Sequence, residues 1–533
     1  MATASTPNIV VPFILDGRDI QAKRTFEVTA PLTGSRLWLG SAATPADALL
    51  AIESCSRAFP AWAQTTPAFR RDIFLRAADI MEARAAELSE YMQHETGSQA
   101  FWAGGFNVPV AADILKDIAG RSTQLGGDAP LLSENGKMAM VLKEPYGVVL
   151  GIAPWNAPYI LGVRACAAAI MAGNTVILKA SELAPRCSWA IGSIFREAGL
   201  PPGVLNVIAH STADAAEVTS TLIQHPAIKK INFTGSTRVG RIIAREAGEY
   251  LKPVLLELGG KASCIIMEDA DLDEAAKLCI MGGFLHGGQI CMSTERILVQ
   301  ASILEQFKSK LQAALTAFLG PETKHAVLVS KDGAAKYRDL ISDALSKGAT
   351  IVASAVAGEA ETQVPSTHVG PVILQDISKE MKLYYTESFG PSATLSSLSD
   401  SEEAIRMAND TEYGLTAAIF GKDLSKMLNM AKRIESGAVH INGMTVHDEP
   451  GLPHGGVKDS GFGRFGADAG LQEFQTSKTI TFKKNISDFL HHQCIQFFAF
   501  VHTPYQTLAN FCDLKMWFCM GLRHIVERTL RSD

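Results

Sequence analysis

Apolar and polar positions alternate along the middle of the chain in a regular rhythm. Short runs rich in valine and isoleucine are separated by longer stretches whose apolar positions recur at helical spacing. The first series contains GVVLGIAP, the stretch around LGVRACAAAIMAG, NTVILKA, the stretch around CSWAIGSIFREAG, and VLNVIAH. Strand, helix and strand in this order predict a parallel, doubly wound sheet.

A second alternating series follows the first. Its strands are predicted at CIIM (264 to 267), RILVQ (296 to 300), AAIFG (417 to 421) and AVHING (438 to 443). Residues 44 to 95 differ, because they are rich in Ala, Arg and Glu with apolar positions at helical spacing, which indicates surface helices. The pattern therefore predicts an α/β protein.

Length and composition narrow the class of protein. A chain of 533 residues exceeds one ordinary core, so we expect two or more domains. Its net charge of −6 and its 20% charged residues give no basic excess for nucleic acid, so a small-molecule partner is favoured. The nine cysteines lack metal-ligand spacing, and no secretory signal or membrane-spanning run is found. We therefore expect no metal and a cytoplasmic location.

One carboxylate and one thiol suit covalent acyl chemistry. Glu257 stands in LLELGGKASCII and Cys291 in HGGQICMSTERI. A thiol can attack a carbonyl, and a carboxylate can activate the water that later releases the acyl group. Taken alone, the pair has an equally good structural interpretation, as a strand end followed by glycines and a buried cysteine.

The order of further motifs favours the chemical interpretation. Along the chain these motifs are PWN, KASE, FTGSTRVG, ELGGK, GQIC and ESFGP. Together they resemble the NAD(P)-dependent aldehyde dehydrogenase superfamily over roughly residues 10 to 484. The resemblance implies the aldehyde dehydrogenase fold, with a Rossmann-like cofactor domain, an α/β catalytic domain and a small β oligomerisation element.

The resemblance also implies domain boundaries. The NAD-binding domain would comprise residues 1 to 126 and 146 to 256, and the catalytic domain residues 257 to 469. Residues 127 to 145 and 470 to 484 would form the oligomerisation element of a homodimer or homotetramer. Residues 485 to 533 depart from the family pattern as an atypical tail, for which an extra helix, a disordered segment, a membrane-surface helix and a wrongly predicted gene end all stay open.

By the same resemblance, three residues carry the chemistry. The Cys291 thiolate attacks the aldehyde to give a thiohemiacetal, whose oxyanion accepts hydrogen bonds from the Asn156 side chain and the Cys291 backbone N–H. Hydride transfer leaves a thioester, which water activated by Glu257 hydrolyses to the carboxylic acid. A coenzyme-A-acylating relative would have no use for Glu257, and a catalytically silent protein on this fold would be free to lose any of the three.

The cofactor residues follow from motif and resemblance together. A helix opening at Thr237 would present unpaired N–H groups and a positive dipole end to a pyrophosphate. The candidate contacts are Trp155, Lys179, Glu182, Gly235, Ser236, Gly240, Leu258, Glu387 and Phe389. In the family, the residues matching Lys179 and Glu182 hold the adenosine ribose. Because Glu182 would repel a 2′-phosphate, NAD is the favoured cofactor, with NADP also possible.

Three residues point to the substrate. Ala157 adjoins Asn156 where many relatives have a bulky aromatic residue, and Arg164 follows two helical turns later. With Trp102, they resemble the branch that contains salicylaldehyde, benzaldehyde and vanillin dehydrogenases. An aromatic or conjugated aldehyde is therefore expected, with an aliphatic or polyketide-derived aldehyde as the alternative. Arg164 could instead be solvated or paired with a carboxylate, and Trp102 could be a packing residue.

The glycine-rich segment PHGGVKDSGFGR (453 to 464) is interpreted as a loop without chemistry. In the family, a similar segment leads toward the C-terminal strand and the subunit contact.

Overall fold

The computed structural model describes residues 9 to 134, 137 to 320, 324 to 355 and 365 to 483. The atypical tail, residues 485 to 533, lies outside the described residues, so the interpretations given for it stay predictions.

The strands account for both predicted series. In chain order they are β1 Val10–Val11, β2 Phe13–Leu15, β3 Arg18–Ile20, β4 Thr25–Thr29, β5 Arg36–Ser41, β6 Lys137–Pro145, β7 Val148–Ile152, β8 Thr175–Lys179, β9 Leu205–Ile208, β10 Ile228–Thr234, β11 Val254–Glu257, β12 Ala262–Ile266, β13 Thr294–Gln300, β14 Ala326–Val327, β15 Thr350–Ser354, β16 His368–Val369, β17 Val372–Gln375, β18 Ser392–Leu398, β19 Tyr413–Gly414, β20 Thr416–Phe420, β21 Ala438–Ile441, β22 Val457–Lys458, β23 Gly461–Phe462 and β24 Gln475–Lys483.

The helices lie between these strands. They are α1 Pro45–Ala63, α2 Pro67–Ala83, α3 Ala85–Thr96, α4 Val108–Gly120, α5 Pro158–Met171, α6 Pro185–Glu197, α7 Ala215–Gln224, α8 Thr237–Glu249, α9 Leu272–Phe284, α10 Leu304–Leu319, α11 Lys331–Ser346, α12 Lys382–Tyr385, α13 Ser401–Asn409, α14 Leu424–Arg433 and α15 Ala467–Gln472. A π-helical turn, Phe101–Asn107, leads into α4, and a 3₁₀ turn, Leu285–Gly288, follows α9.

The first predicted series forms a sheet with the order β23-β11-β10-β7-β8-β9-β2-β3. Strands β11, β10, β7, β8 and β9 are parallel to one another. The pairs β23–β11, β9–β2 and β2–β3 are antiparallel. The predicted doubly wound sheet is therefore confirmed. Because Ile152 pairs with both Lys179 and Phe233, and Thr234 pairs with Glu257, the carboxyl ends of four strands meet along one edge.

The second predicted series forms another mostly parallel sheet. Its order is β15-β17-β18-β13-β12-β20-β21, with β15 antiparallel to β17. The runs CIIM, RILVQ, AAIFG and AVHING overlap β12, β13, β20 and β21. Their buried side chains pack against α9 and α10 in a core of their own.

Contacts divide the chain into two compact units. Of the described residues, the larger unit contains those from 9 to 127 and from 142 to 478, with both large sheets. The smaller unit contains those from 128 to 141 and from 479 to 483. Strands β6 and β24 pair as a ribbon within the segments predicted for oligomerisation. The boundary at residue 257 between cofactor and catalytic domains stays a prediction.

Candidate active site

A cleft of about 290 Å³ lies at the carboxyl edge of the first sheet. The loop after β7 contributes Trp155 and Asn156 to its wall, the turn after β10 contributes Gly235 and Ser236, and the end of β11 contributes Glu257. Cys291 approaches from the segment before β13 of the second sheet. The fold therefore brings Asn156, Glu257 and Cys291 to one cleft, as the sequence predicts for residues of one site.

Cys291 is held by a strained, glycine-dependent segment. Immediately before it, His286, Gly287 and Gly288 adopt left-handed conformations with φ of 49°, 64° and 72°. A Cβ on Gly260 would lie 2.1 Å from the Cys291 carbonyl oxygen, so only glycine permits this approach. Glycine at position 260 therefore lets the two backbone segments pass at the cysteine.

The Cys291 thiol faces Glu257. Its Sγ–H donates to Glu257 Oε1 across 3.5 Å. Burial, followed by the negative charges of Glu257 and Glu387, raises the pKa of the Cys291 thiol well above its usual range. Arg164 opposes this shift only in part. The resting thiol is therefore protonated, and a base must accept its proton before or during attack on a carbonyl carbon.

Glu257 is buried and surrounded by donors. Its Oε2 lies 3.4 Å from the Thr234 hydroxyl and 3.9 Å from the Arg164 guanidinium, and its Oε1 lies 3.2 Å from His454 Nε2. Burial alone would raise the pKa of Glu257, but the charge and hydrogen bond of His454, together with Arg164 and Cys291, lower it to about 2. The carboxylate is therefore ionised near neutral pH.

Sequence reasoning missed His454. It stands in PHGGVKDSGFGR, the segment that the sequence suggested was a loop without chemistry, and it is separated from Glu257 by 197 positions. A histidine among glycines gives no periodic signal, and nothing in the sequence pairs it with Glu257. Only the antiparallel return of β23 onto β11 brings the segment to the end of β11.

Asn156 is fixed by two hydrogen bonds. Its side-chain Nδ2 donates to the Gln289 carbonyl across 2.9 Å, and its own carbonyl accepts from Trp102 Nε1 across 3.1 Å. Because Gln289 is two residues before Cys291, the first bond ties the amide to the cysteine segment. The amide has two N–H groups, so one remains for a further acceptor.

Arg164 is paired within the protein. Helix α5 is buried along its whole length, so a charged side chain there needs a partner. Arg164 Nη2 donates to both carboxylate oxygens of Asp448, across 2.6 and 2.8 Å. This is the carboxylate-paired arrangement that the sequence left open. Arg164 also lines a small cavity, together with Asn156, Glu257 and Cys291, so its predicted contact with substrate stays a prediction.

The same small cavity contains the other two predicted substrate residues. Trp102 and Ala157 line it together with Phe106, and the Trp102 ring stacks on Phe106 with centroids 4.9 Å apart. Trp102 therefore has a packing role and also forms part of the cavity wall. The small Ala157 side chain lies beside Asn156 at the start of α5.

Most of the predicted cofactor residues line the main cleft. These are Trp155, Gly235, Ser236, Leu258, Glu387 and Phe389. Helix α8 begins at Thr237 as predicted, and the Ser236 side chain caps it by accepting from Val239 N across 3.4 Å. The unpaired N–H groups of that first turn suit the binding of an anion such as a pyrophosphate.

Glu387 and Phe389 in the cleft wall are each held by a contact with a neighbouring segment. Glu387 accepts from Gly260 N across 2.8 Å, and the Phe389 ring meets Trp155 edge to face with centroids 5.9 Å apart. Phe389 has a φ of 51°, a strained value for a residue other than glycine. Burial, followed by the charge of Glu295, raises the pKa of Glu387 to about 7.

The remaining three cofactor candidates do not line the main cleft. Gly240 lies inside α8 against the Leu258 side chain, where a Cβ would come within 2.5 Å. Lys179, at the end of β8, lies 2.7 Å from His210 Nε2. Burial lowers the pKa of Lys179 to about 8, against the charge of Glu182 three residues later. His210 is a second residue that sequence reasoning missed.

Two features are absent from the part of the chain that the structure describes. No three side chains of His, Cys, Asp or Glu are grouped to hold a metal ion there. None of the helices within those ranges has the length and apolar character needed to cross a membrane.

The fold and the cleft are those of an α/β enzyme. In the cleft, a thiol and a carboxylate lie near a helix start that suits the phosphates of a nucleotide. The sequence profile described as the aldehyde dehydrogenase family matches residues 19 to 480. The vanillin dehydrogenase of Pseudomonas fluorescens is 43% identical over 478 residues, which are 88% of this chain and 97% of that protein. The salicylaldehyde dehydrogenase of Pseudomonas putida is 38% identical over 469 residues, or 87% of this chain and 95% of that protein.

A solved structure agrees. The crystal structure of a salicylaldehyde dehydrogenase from Pseudomonas putida G7, complexed with salicylaldehyde, superposes with a TM-score of 0.85 at 36% identity, covering 90% of this chain and 99% of that one. The chain belongs to the aldehyde dehydrogenase family. It oxidises an aldehyde with NAD or NADP, so the predictions of fold, family, cofactor class and enzymatic activity are confirmed.

Proposed function

We propose that the chain oxidises an aromatic or conjugated aldehyde to its carboxylic acid, with Cys291 as the nucleophile. The observation that carries the proposal is the 3.5 Å contact between Cys291 Sγ and Glu257 Oε1 in a cleft that Asn156 also lines. A nucleophile, a base and an amide donor in one cleft are the groups that acyl chemistry on a thiol requires.

The acylation step follows from these contacts. Cys291 Sγ forms a bond to the aldehyde carbon while its proton passes to Glu257, which is ionised and hydrogen-bonded to it. The electron pair of the C=O bond moves to oxygen, where the free N–H of Asn156 and the Cys291 backbone N–H stabilise the charge. Loss of hydride from the thiohemiacetal carbon, for which a bound nicotinamide would supply the acceptor, leaves a thioester on Cys291.

Deacylation uses the same carboxylate. Once the proton taken from Cys291 has passed to solvent, ionised Glu257 takes a proton from water as the water oxygen bonds to the thioester carbon. The carbon–sulfur bond breaks, its electron pair returns to Cys291 Sγ, and the proton on Glu257 restores the thiol. The carboxylic acid is released.

The cofactor fits the main cleft. Ser236 and the first turn of α8 would hold the pyrophosphate, and Glu387 and Phe389 would position the nicotinamide ribose and ring. Lys179 and Glu182, at the end of β8, would bind the adenosine ribose. A carboxylate at position 182 favours NAD over NADP, because a 2′-phosphate would meet a like charge.

Glu182→Gln should reduce the preference of the enzyme for NAD over NADP. Removing one like charge should improve kcat/KM with NADP relative to NAD by about tenfold, the equivalent of about 1.4 kcal/mol. Steady-state kinetics with both cofactors measure the ratio. Glu249→Gln, at the far end of α8, removes the same charge as a control. A wild type that already prefers NADP would contradict the assignment of Glu182.

Support for an aromatic substrate comes from the small cavity and from the relatives. Trp102 and Phe106 provide aromatic surface beside Cys291, and Ala157 leaves room next to Asn156. The relatives named above are dehydrogenases of vanillin and salicylaldehyde. Arg164 and its partner Asp448 lie in the same wall, and a ring hydroxyl could share that ion pair.

A matched aldehyde panel tests the substrate class. Benzaldehyde and cyclohexanecarbaldehyde have similar size, and only the first has an aromatic ring. Because an aromatic contact is worth about 0.5 to 1.5 kcal/mol, kcat/KM should be roughly two to ten times higher for benzaldehyde. NADH absorbance measures both rates, with hexanal and acetaldehyde as further members. Equal or higher rates with the saturated ring or with acetaldehyde would remove the aromatic assignment.

We also propose an oligomeric state and a cellular location. The β6–β24 ribbon exposes the large apolar side chains of Met138, Met140 and Ile480. Because exposed apolar side chains of this kind often mark a protein contact, they support a homodimer or homotetramer. A cytoplasmic location is supported by the free state of every cysteine in the described ranges.

A further inference from the structure

His454 and Cys291 converge on one oxygen of Glu257. His454 Nε2 lies 3.2 Å from Oε1, and the Cys291 thiol donates to the same Oε1 across 3.5 Å. The other oxygen, Oε2, faces Thr234 and Arg164. Because an ionised carboxylate only accepts hydrogen bonds, the proton of the His454–Glu257 contact lies on Nε2.

The backbone holds His454 in place. His454 N donates to the Phe465 carbonyl across 2.7 Å, and Phe465 N donates to the His454 carbonyl across 2.8 Å. This bridge fixes the residue at both sides, and the ring is mostly buried. The imidazole therefore meets Glu257 without the entropy cost of ordering a loose side chain.

Arg164 cannot replace this contact. It lies 3.9 Å from Glu257 Oε2 but donates directly to both oxygens of Asp448. Its charge is therefore shared between two carboxylates. His454 is the donor that touches Oε1, the oxygen directed at the cysteine.

We propose that His454 is a positioning residue for deacylation, which keeps Glu257 ionised and its Oε1 directed at the acyl group on Cys291. The proposal rests on the proposed function of Glu257 as the base that activates water. In the acyl-enzyme the thiol proton is gone, so a water molecule can take its place on Oε1. The Nε2–H contact then holds that oxygen while the water oxygen bonds to the thioester carbon and the water proton moves to Glu257.

The contact predicts a change in pH dependence. Burial would raise the pKa of Glu257, but His454, Arg164 and Cys291 together lower it to about 2. The ionised form is therefore present above that value and is lost only as the pH falls through it. Without His454, its charge and its hydrogen bond no longer oppose the effect of burial, so the pKa of Glu257 rises. The acid limb of the deacylation rate then moves up into the measurable range.

Other charged groups act on this pair. Asp448 shares Arg164, and Glu387 acts on Cys291 from the opposite wall. The charge of His454 acts on His440, on β21, whose ring lies 4.8 Å from that of His447. Burial, followed by these two histidines, lowers the pKa of His440 to about 4, so His440 adds no positive charge near neutral pH.

Three substitutions at one position test the role. His454→Phe keeps a ring and removes the donor, His454→Gln places an amide N–H where Nε2 stood, and His454→Asn has an amide too short to reach Oε1. The NADH burst measures acylation and hydride transfer, and the steady-state rate measures deacylation when that step is limiting. Both are recorded between about pH 5.5 and 9, a range over which wild-type Glu257 stays ionised.

The three variants should separate the loss of the hydrogen-bond donor from the change in side-chain size. At pH 8, where Glu257 is still ionised, His454→Phe and His454→Asn should keep the burst. Their steady-state rate should fall by about tenfold at pH 6 and by less at pH 8, so that the pH profile gains an acid limb. His454→Gln should recover the rate at pH 8. A wild-type pH profile in His454→Phe, or an equal loss of burst and steady state in all three variants, would overturn the proposal.

Combining His454→Phe with Glu257→Gln distinguishes the proposed role of His454 from the proposed role of Glu257. If both hold, His454→Phe should slow Glu257→Gln by less than about twofold, because the carboxylate on which it acts is gone. If Glu257→Gln alone turns over like the wild type, the proposed role of Glu257 is wrong. If Glu257→Gln is slow while His454→Phe is normal, only the role of His454 fails.

Discussion

Replacing Cys291 by alanine should abolish aldehyde oxidation, with a loss of at least about 10³-fold in turnover. Cys291 supplies the only thiol in the cleft walls within the described residues, and the alanine methyl cannot form a thiohemiacetal. Without that bond, no tetrahedral adduct is held beside Asn156. NADH absorbance with benzaldehyde measures the loss, and tryptophan fluorescence measures NAD binding.

NAD binding should survive in Cys291→Ala, because the proposed dinucleotide contacts are on α8 and on the wall formed by Glu387 and Phe389. Cys55→Ala is the matched control, since Cys55 is buried in α1 away from the cleft. That variant should oxidise aldehydes at the wild-type rate. Retention of more than a tenth of turnover in Cys291→Ala would exclude Cys291 as the nucleophile.

Because the pKa of the resting thiol is raised, Cys291 can act as the nucleophile only if the neighbouring carboxylate accepts its proton. Burial and the charges of Glu257 and Glu387 all disfavour a thiolate. A protonated thiol protects the nucleophile from oxidation between turnovers, because the thiolate is the reactive form. Attack then requires that Glu257 accept the proton, and Glu257 can do so because His454 and Arg164 keep it ionised.

The elements of the fold were predictable because they depend on local pattern. The valine- and isoleucine-rich runs became β7, β8 and β9 of a parallel sheet, and the predicted helix start at Thr237 is where α8 begins. Motif order was equally informative, because Asn156, Glu257 and Cys291 do line one cleft. Parallel strands put their carboxyl ends on one edge, so residues that follow such strands meet there.

Pairings between distant segments were not predictable in the same way. His454 and Glu257 are 197 positions apart, and Arg164 and Asp448 are 284 positions apart. His454 and Asp448, the partners in these two pairs, lie between β21 and β23, where glycine and proline interrupt any period. Arg164 was predicted to contact substrate, with pairing to a carboxylate as the alternative, and a charge on a fully buried helix must be paired. Its partner became visible only when the chain was folded.

Glu257→Gln should separate the two halves of the reaction. Glutamine keeps the shape of the side chain and an oxygen that can accept from Cys291, but it cannot take a proton from water. General-base catalysis typically contributes about 10² to 10⁴-fold, so steady-state turnover should fall by that amount. Where acylation still proceeds, a burst of NADH close to one equivalent per site should come before the slow phase.

Rapid mixing with benzaldehyde and NAD measures the burst, and Glu249→Gln on the surface end of α8 controls for the loss of one negative charge. Added hydroxylamine should accelerate the slow phase, because a strong nucleophile attacks a thioester without a general base. The variant should therefore regain turnover with hydroxylamine if it accumulates the acyl-enzyme. Unchanged turnover without a burst would remove Glu257 from deacylation. A slow rate that hydroxylamine does not relieve would instead assign Glu257 only to the activation of Cys291, as the acceptor of the thiol proton across the 3.5 Å contact.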